Sequence, residues 1–355
     1  MKLIMNAETP LHIGNGEILS PYSDYIYENG RVYYIDHNKL QSYIYSKENA
    51  EELMDRFINI VNIQTEKNTV DKYKLKDFLA ENGINIEDYS SRITGASDEL
   101  KNEEIHRAIS TSNRPYVPGS SIKGAFRTAL LYRHLLDKGC TATTDKKTYV
   151  GEDEFGSIDK DVLKFLHISD TLPLPYDNIE VVKTCRINIS TGKATIPVIK
   201  EAIPGGTVLE FHLACTAKAK YHSLADRFEY LYEGGEKEVL VEVNNFYTEQ
   251  LNREIDELCQ KKHEKLDALI NLYTGLYNKA LQLKDTGEGA VLRLGSGKTF
   301  YDNSIASLFT PSQMMEIRSA AGYGNYSPFP STRVVVLRNG IIQSVLGWVT
   351  VTVKE

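Results

Sequence analysis

The chain has 355 residues, of which 41% are hydrophobic and 25% are charged. This composition is typical of a folded globular protein. No run approaches the ~18 consecutive apolar residues of a membrane span, and the N-terminus has no long apolar signal region, so we expect a cytosolic protein without membrane contact. The four cysteines are scattered without pair spacing, which argues against a disulfide framework and against a cysteine zinc site.

The net charge of -7 is distributed unevenly along the chain. Residues 47–104 and 221–264 each carry a net charge of -6, so the remainder of the chain sums to +5. Residues 105–136 contain five lysines and arginines and no carboxylate, and residues 181–200 and 317–354 contain four each, again without a carboxylate. These segments could hold a polyanion despite the acidic total. Solvated charged faces with chance gaps between carboxylates are the alternative explanation.

The first predicted elements are a strand over residues 2–13, a turn at 14–16 and a β-hairpin. In the hairpin, residues 24–28 and 31–35 are rich in β-forming side chains and flank an Asn-Gly dipeptide, which favours a type I′ turn. A helix should begin near Lys39, with Asp36 or Asn38 as its cap, and the acidic block that follows looks mainly helical.

A second helix is predicted from about residue 120, because Ile122, Phe126, Ala129 and Leu130 share one face. Later in the chain, the pattern predicts strands at 163–172, 180–189, 207–215, 333–337 and 345–353, and one helix over 248–283.

Without the two acidic blocks, the element order is strand, helix, strand, strand, helix, strand, which is the βαββαβ order of ferredoxin-like folds. We therefore predict an α+β protein with a ferredoxin-like core in residues 1–46, 113–219 and 287–355. Residues 47–112 and 220–286 would be mainly helical insertions. The open sheet face of such a core is suited to single-stranded RNA.

The most informative motif is the segment PGSSIKGAFR at the start of the second predicted helix. A helix that begins at Ser120 or Ser121 leaves backbone N–H groups without intrahelical acceptors. Lys123 and Arg127 lie on one face of its first two turns, where cations oppose the helix dipole unless an anion is bound. A phosphate would resolve this conflict, and Gly124 would permit close approach of a backbone-sized group. A capped core helix with two surface cations is the alternative.

A second motif is the glycine-rich segment LGSGKT. It is not a P-loop, because that motif requires a glycine where Leu292 stands and no buried strand of adequate length is predicted before it. Gly295 and Gly297, flanked by Arg293 and Lys298, can offer N–H groups and two cations to a phosphodiester backbone. A purely structural turn would use the same residues.

The third motif is PLHIGNG, which contains His12, Gly14 and Gly16. His12 could be a general acid or base, a stacking group for RNA, or a hydrogen-bonded structural histidine. Patterns typical of metalloenzymes, serine hydrolases and paired Cys/His sites do not occur in the sequence. The sequence thus predicts no catalytic residue, no metal and no cofactor.

The three motifs, in this order and together with the hairpin entry at residues 21–27, resemble the repeat-associated mysterious protein (RAMP) superfamily of CRISPR subunits. The placement of PGSSIKGAFR about a hundred residues after HIGNG is the specific part of this resemblance. Within the superfamily, the chain is most similar to the type III-A (Csm) subunit that caps the filament at the crRNA 3′ end.

The resemblance implies a non-catalytic protein that binds crRNA and supports its maturation and the assembly of the complex. Implied partners are crRNA, the neighbouring RAMP backbone subunit, a small helical subunit of the Csm complex, nearby target RNA, and recruited host nucleases. The implied RNA-binding residues are His12, Gly14, Gly16, Ser120, Ser121, Lys123, Gly124, Arg127, Arg293, Gly295, Gly297 and Lys298.

Two alternatives remain open at this point. One is a metal-independent endoribonuclease that processes CRISPR repeat RNA, with His12 as general acid or base and Lys123 stabilising phosphate charge. The other is a related subunit of a type III-B complex.

Overall fold

The computed structural model describes residues 1–62, 74–139, 151–261, 263–320, 322 and 330–354. The strands are β1 (Lys2–Ala7), β2 (Gly14–Leu19), β3 (Tyr25–Glu28), β4 (Arg31–Ile35), β5 (Ser90–Gly95), β6 (Ile105–Ala108), β7 (Ser110–Thr111), β8 (Arg114–Pro115), β9 (Leu166–Ile168), β10 (Glu180–Asn188), β11 (Val198–Ala202), β12 (Val208–Cys215), β13 (Gly289–Arg293), β14 (Thr332–Arg338), β15 (Ile341–Val345) and β16 (Trp348–Val353). The helices are α1 (His37–Tyr45), α2 (Ala50–Asn62), α3 (Leu75–Glu81), α4 (Gly119–Asp137), α5 (Glu152–Phe155), α6 (Glu236–Lys261), α7 (Asp267–Thr286) and α8 (Pro311–Ala320). No helix in these ranges has the length and apolarity to cross a bilayer.

A five-stranded sheet with the order β13-β16-β1-β12-β9 forms the centre of the molecule. All of its pairs are antiparallel, and β1 lies between β12 and β16. Leu3, Met5 and Ala7 alternate along β1 and are buried, as expected for a strand with one face on a core. Helices α4, α6 and α7 pack on this sheet and contribute to the same hydrophobic cluster.

A six-stranded sheet with the order β15-β14-β10-β11-β6-β2 lies beside the first, and β11 and β6 form its single parallel pair. A separate three-stranded sheet, β3-β4-β5, packs with α1, α2 and α3 around a smaller core. The mixed α/β class is thus confirmed.

The predicted hairpin is confirmed as β3 and β4. Asn29 and Gly30 have φ angles of 50° and 78°, the left-handed conformations that a type I′ turn requires. Asp36 caps α1 by accepting a hydrogen bond from the backbone N–H of Lys39. The segment 47–112 is less helical than expected, because β5 pairs with β4 and extends the hairpin to three strands.

Three predicted elements are corrected by the structure. The first strand ends at Ala7 instead of residue 13, and the expected turn at 14–16 is the start of β2, which has an irregular register between Gly14 and Ile18. The long helix at 248–283 is two helices, α6 and α7, which pack on each other. Apolar residues keep helical spacing on both sides of the break because each helix buries one face, so the spacing does not reveal the break.

The cysteines are free thiols in the described residues: Cys185 and Cys215 are buried and Cys259 is exposed. Cys140 lies outside the described residues.

Candidate nucleic-acid interface

The three sequence motifs lie at one end of the five-stranded sheet. Antiparallel register places the C-terminal ends of β1 and β13 beside the N-terminal ends of β12 and β16, with Asn6 opposite Val208 and Arg293 opposite Trp348. The C-terminal end of β9 lies on the same side. Gly119, the first residue of α4, lies so close to this end that a Cβ would collide with the carbonyl oxygen of Ile168. The tertiary structure therefore groups segments that are far apart in sequence.

The glycine-rich loop lies directly on the segment that contains His12. Gly295 has a φ of +61°, and a Cβ at this position would collide with the His12 carbonyl oxygen. The next residue, Ser296, donates its backbone N–H to the same oxygen at 2.8 Å. Gly297 also has a positive φ, +94°, and packs on Leu346. These glycines therefore allow two loops of the chain to approach each other closely.

His12 is buried and hydrogen-bonded within the chain. The residue is only 4% exposed, and Nδ1 lies 2.6 Å from the carbonyl oxygen of Glu201. Because a carbonyl can only accept, Nδ1 carries the proton. Burial lowers the pKa of His12 to about 4, so the ring is neutral at physiological pH. Gly14 lies beside the other ring nitrogen, where a Cβ would be 3.1 Å from Nε2.

The start of α4 already has anions supplied by the protein. The Asp170 carboxylate accepts the backbone N–H of Gly119 at 2.7 Å, and Asp161 forms an ion pair with Arg127. The Arg127 guanidinium also lies over the Phe155 ring, 4.7 Å from its centroid. The carboxylate of Asp161, which is distant in sequence, thus already neutralises Arg127, and RNA binding by Arg127 stays a prediction.

The rest of the α4 motif remains accessible. Ser120 and Gly124 are exposed, and Ser121 and Lys123 are partly buried. Burial lowers the pKa of Lys123, while nearby Asp161 opposes that shift.

Arg293 does not flank the glycine loop as a free cation. It is 1% exposed and donates to Asp302 at 2.9 Å and to the Leu346 carbonyl at 3.1 Å. The expectation that no adequate strand precedes the loop is also wrong, since β13 is buried along its full length. The P-loop remains excluded, because Leu292 replaces the required glycine and only a three-residue 3-10 turn, Tyr301–Asn303, follows. Lys298 is partly buried, which lowers its pKa.

Sequence reasoning missed the cations of the second sheet. Lys200 on β11 reaches the glycine loop and donates to the Ser296 hydroxyl at 2.9 Å. His106 on β6 is its register neighbour, and Arg186 on β10 is close enough to add to the effect of burial in lowering the pKa of Lys200. In the described ranges, neither Lys200 nor Arg186 has a carboxylate within ion-pair distance. We call His106, Arg186, Lys200 and Lys298 the cationic face.

The cationic face also presents apolar surface. Ile18, opposite His106 in register, is 48% exposed, and Val198, two residues from Lys200 on the same side of β11, is 39% exposed. The sequence signal for Arg186 and Lys200 is the absence of carboxylates in residues 181–200.

Other cations of the basic segments are neutralised by α6. Arg133 contacts Glu242 at 2.9 Å and Glu249 at 3.0 Å. Arg333 is buried and pairs with Glu254 and Glu257. The second acidic block therefore balances basic residues elsewhere in the chain, whereas Lys200 and Arg186 have no such balance in the described ranges.

Comparisons with known proteins identify the family. The sequence profile of the RAMP superfamily matches residues 4–300. The CRISPR system Cms protein Csm5 of Methanocaldococcus jannaschii is 26% identical over 98% of this chain and 87% of that protein. Its counterpart in Streptococcus thermophilus is 29% identical over 61% of this chain and 64% of that protein.

Solved structures show the same fold. A chain from the cryo-EM structure of a type III-A Csm-crRNA-target RNA ternary complex superposes with a TM-score of 0.71 at 22% identity, over 99% of this chain and 100% of that chain. The crystal structure of T. onnurineus Csm5 gives a TM-score of 0.65 at 20% identity, over 98% and 99%. With a profile match that spans most of its length, the chain belongs to the RAMP superfamily.

Proposed function

We propose that this chain is a non-catalytic crRNA-binding subunit of a type III-A Csm interference complex, which caps the filament near the crRNA 3′ end. Arg186 and Lys200 of the cationic face carry the proposal, because the two charges repel each other and have no carboxylate within ion-pair distance in the described ranges. A phosphodiester backbone would supply the missing negative charge. Relatives named Csm5, and a similar fold in a complex with crRNA and target RNA, support the assignment.

The motif residues would act in two ways. The first set would shape the loops that border the RNA, and it consists of Gly14, Gly16, Gly295, Gly297 and buried His12. A second set, Ser120, Ser121, Lys123, Gly124 and Lys298, would contact the RNA backbone directly. Lys200 and Arg186 join this second set, and Arg127 and Arg293 leave it because they are bound to carboxylates.

The ferredoxin-like core is also part of the proposal. The βαββαβ order is followed by β1, α4, β9, β12, the pair α6 and α7, and β16. In the sheet, the four strands lie side by side as β16-β1-β12-β9. In this scheme β13 is an additional edge strand, and residues 47–112 and 220–286 are insertions.

The partners follow from the same assignment. We propose the neighbouring RAMP backbone subunit and the small helical Csm subunit as protein partners, with target RNA nearby and host nucleases acting during maturation. The chain supports crRNA maturation and assembly by binding and protecting RNA. The burial of His12 argues against its use as a general acid or base.

The test is native purification of the tagged chain from cells that express the whole complex. We expect other complex subunits and a population of short RNAs with a common 5′ tag. The Arg186→Glu/Lys200→Glu variant should recover less RNA, or RNA with altered 3′ ends, and the exposed Lys284→Glu variant is the control. Recovery of the chain without RNA would refute the proposal. Cleavage of repeat RNA by the purified chain in EDTA would establish an enzyme instead.

A further inference from the structure

A cavity of about 390 Å³ lies between the three-stranded sheet and the β7–β8 hairpin. It is on the opposite side of β6 from the cationic face, since Arg107 lines it and the adjacent residue, His106, points the other way. The side chains that matter for its chemistry are Tyr34, Arg92, Arg107, Asn113, Arg114 and Tyr176.

Two arginines of this lining, Arg92 and Arg107, have a buried Nε atom without a hydrogen-bond partner in the described ranges. Tyr34 is 6% exposed, and its ring centroid lies 4.0 Å from the Arg92 guanidinium. Buried polar groups in folded proteins are nearly always satisfied by protein, water or ligand, so the two Nε atoms can accept a partner that enters the cavity.

The cavity also favours an anion. Arg92 is paired with buried Glu201, and Arg107 with Glu17 at 2.7 Å. Arg114 differs, because within the described residues it donates only to the neutral carbonyl oxygens of Pro173 and Leu174, at 2.9 and 3.1 Å. Its positive charge is thus held at the cavity by hydrogen bonds that do not neutralise it.

Aromatic surface and backbone geometry complete the site. Tyr176 lines the cavity and is 55% exposed, so its ring is available for stacking. Ser112 and Asn113 have φ angles of 48° and 60°, the left-handed conformations of the two-residue type I′ turn that joins β7 to β8. This turn places Arg114 and Arg107 at the same cavity, with the Asn113 side-chain oxygen 3.5 Å from Arg107.

We propose that this cavity binds one nucleotide of single-stranded RNA, with the phosphate on Arg114 and the base stacked on Tyr176. The inference rests on the proposed RNA-binding function and adds a second contact point on the far side of β6. The phosphate can also accept from the Arg107 Nε, which the Glu17 contact at Nη1 leaves without a partner in the described ranges.

The test uses the purified full chain and a fluorescently labelled single-stranded RNA, with affinity measured by anisotropy. Arg114→Ala and Tyr176→Ala should each raise the Kd roughly tenfold, while Tyr176→Phe keeps the stacking ring and should stay within about twofold of wild type. Matched controls are Arg31→Ala and Tyr221→Ala, which remove exposed side chains of the same types elsewhere. Arg114 and Tyr176 are exposed, so the variants should melt like the wild type.

The outcomes separate this inference from the proposed function. If wild type binds RNA and Lys200→Ala weakens binding, but Arg114→Ala and Tyr176→Ala bind like wild type, the cavity does not hold a nucleotide. If wild type does not bind RNA at all, the proposed function fails, and the cavity assignment fails with it. A crosslink from 4-thiouridine RNA to the peptide that contains Tyr176 would support the assignment directly.

Discussion

Lys200 extends from β11 to the glycine loop, and its ammonium group lies 2.9 Å from the Ser296 hydroxyl. Because no carboxylate in the described ranges balances this charge, a phosphate should bind it directly. Lys200→Ala should raise the Kd for single-stranded RNA about tenfold or more, since a charge-assisted hydrogen bond contributes about 1.5–3 kcal/mol. Lys284→Ala, at the exposed end of α7, should leave the Kd unchanged. Equal affinity of the two variants would remove Lys200 from the interface.

His12 should make the stability of the protein depend on pH. Burial lowers its pKa in the folded state to about 4, below the ordinary value of 6.5, so the unfolded chain binds the proton more tightly. The stability that His12 contributes is therefore fully present above pH 6.5 and is lost as pH falls towards 4, by on the order of 3 kcal/mol.

Urea unfolding of wild type and His12→Gln at several pH values between 4 and 7 would measure this effect. The variant should show a shallower decline of the free energy of unfolding below pH 6.5. His167→Gln, which changes an exposed histidine, should follow wild type. An unchanged slope in His12→Gln would mean that another group titrates in this range.

At the scale of elements, Arg333 joins β14 to α6. Its guanidinium forms a bidentate pair with Glu254 and a further contact with Glu257 at 2.7 Å, and it is 2% exposed. Arg333→Met would leave Glu254 buried without a partner and should lower the free energy of unfolding by about 3–5 kcal/mol. The double variant Arg333→Met/Glu254→Leu should recover much of this loss, because it removes both buried charges.

Chemical denaturation of the two variants gives the comparison. If Arg333→Met is as stable as wild type, the ion pair does not stabilise the packing of α6 on β14. Burial raises the pKa of Glu257 above its ordinary value of 4.5, and Arg333 opposes this shift, so Arg333→Met should lose stability more steeply than wild type as pH rises above about 4.5.

For the whole molecule, an acidic protein should bind RNA through a local basic surface. The net charge is -7, yet Arg186, Lys200 and Lys298 of the cationic face, together with Lys123, offer four cations for phosphates. The plot of log K against log salt should therefore have a slope of about -2 to -3, since each neutralised phosphate of a single strand contributes about -0.7. Arg186→Ala/Lys200→Ala should reduce the magnitude of this slope by about 1.4.

RNAs of different sequence should bind with similar affinity, because the contacts are mainly to phosphates. Both expectations can be tested by measuring the Kd for two RNAs of unrelated sequence at four salt concentrations. Salt-independent binding, or strong preference for one sequence, would contradict a phosphate-based interface.

The sequence by itself determined the local elements and the family. The Asn29-Gly30 turn, the buried face of α4 and the strands β10, β12, β14 and β16 follow from residue types a few positions apart, which local backbone preference and periodicity control. The RAMP resemblance, which rests on three ordered motifs, is confirmed by the match over residues 4–300.

Only the tertiary structure decided which charges are free. The local sequence around Arg127, Arg333 and Lys200 does not show which of these cations is paired. In the structure, Arg127 and Arg333 contact carboxylates that are 34 and 79 residues away in the chain. The burial of His12 under the glycine loop depends on a similarly distant contact. Electrostatic pairing and desolvation depend on distance in space, and residue spacing along one chain does not encode that distance.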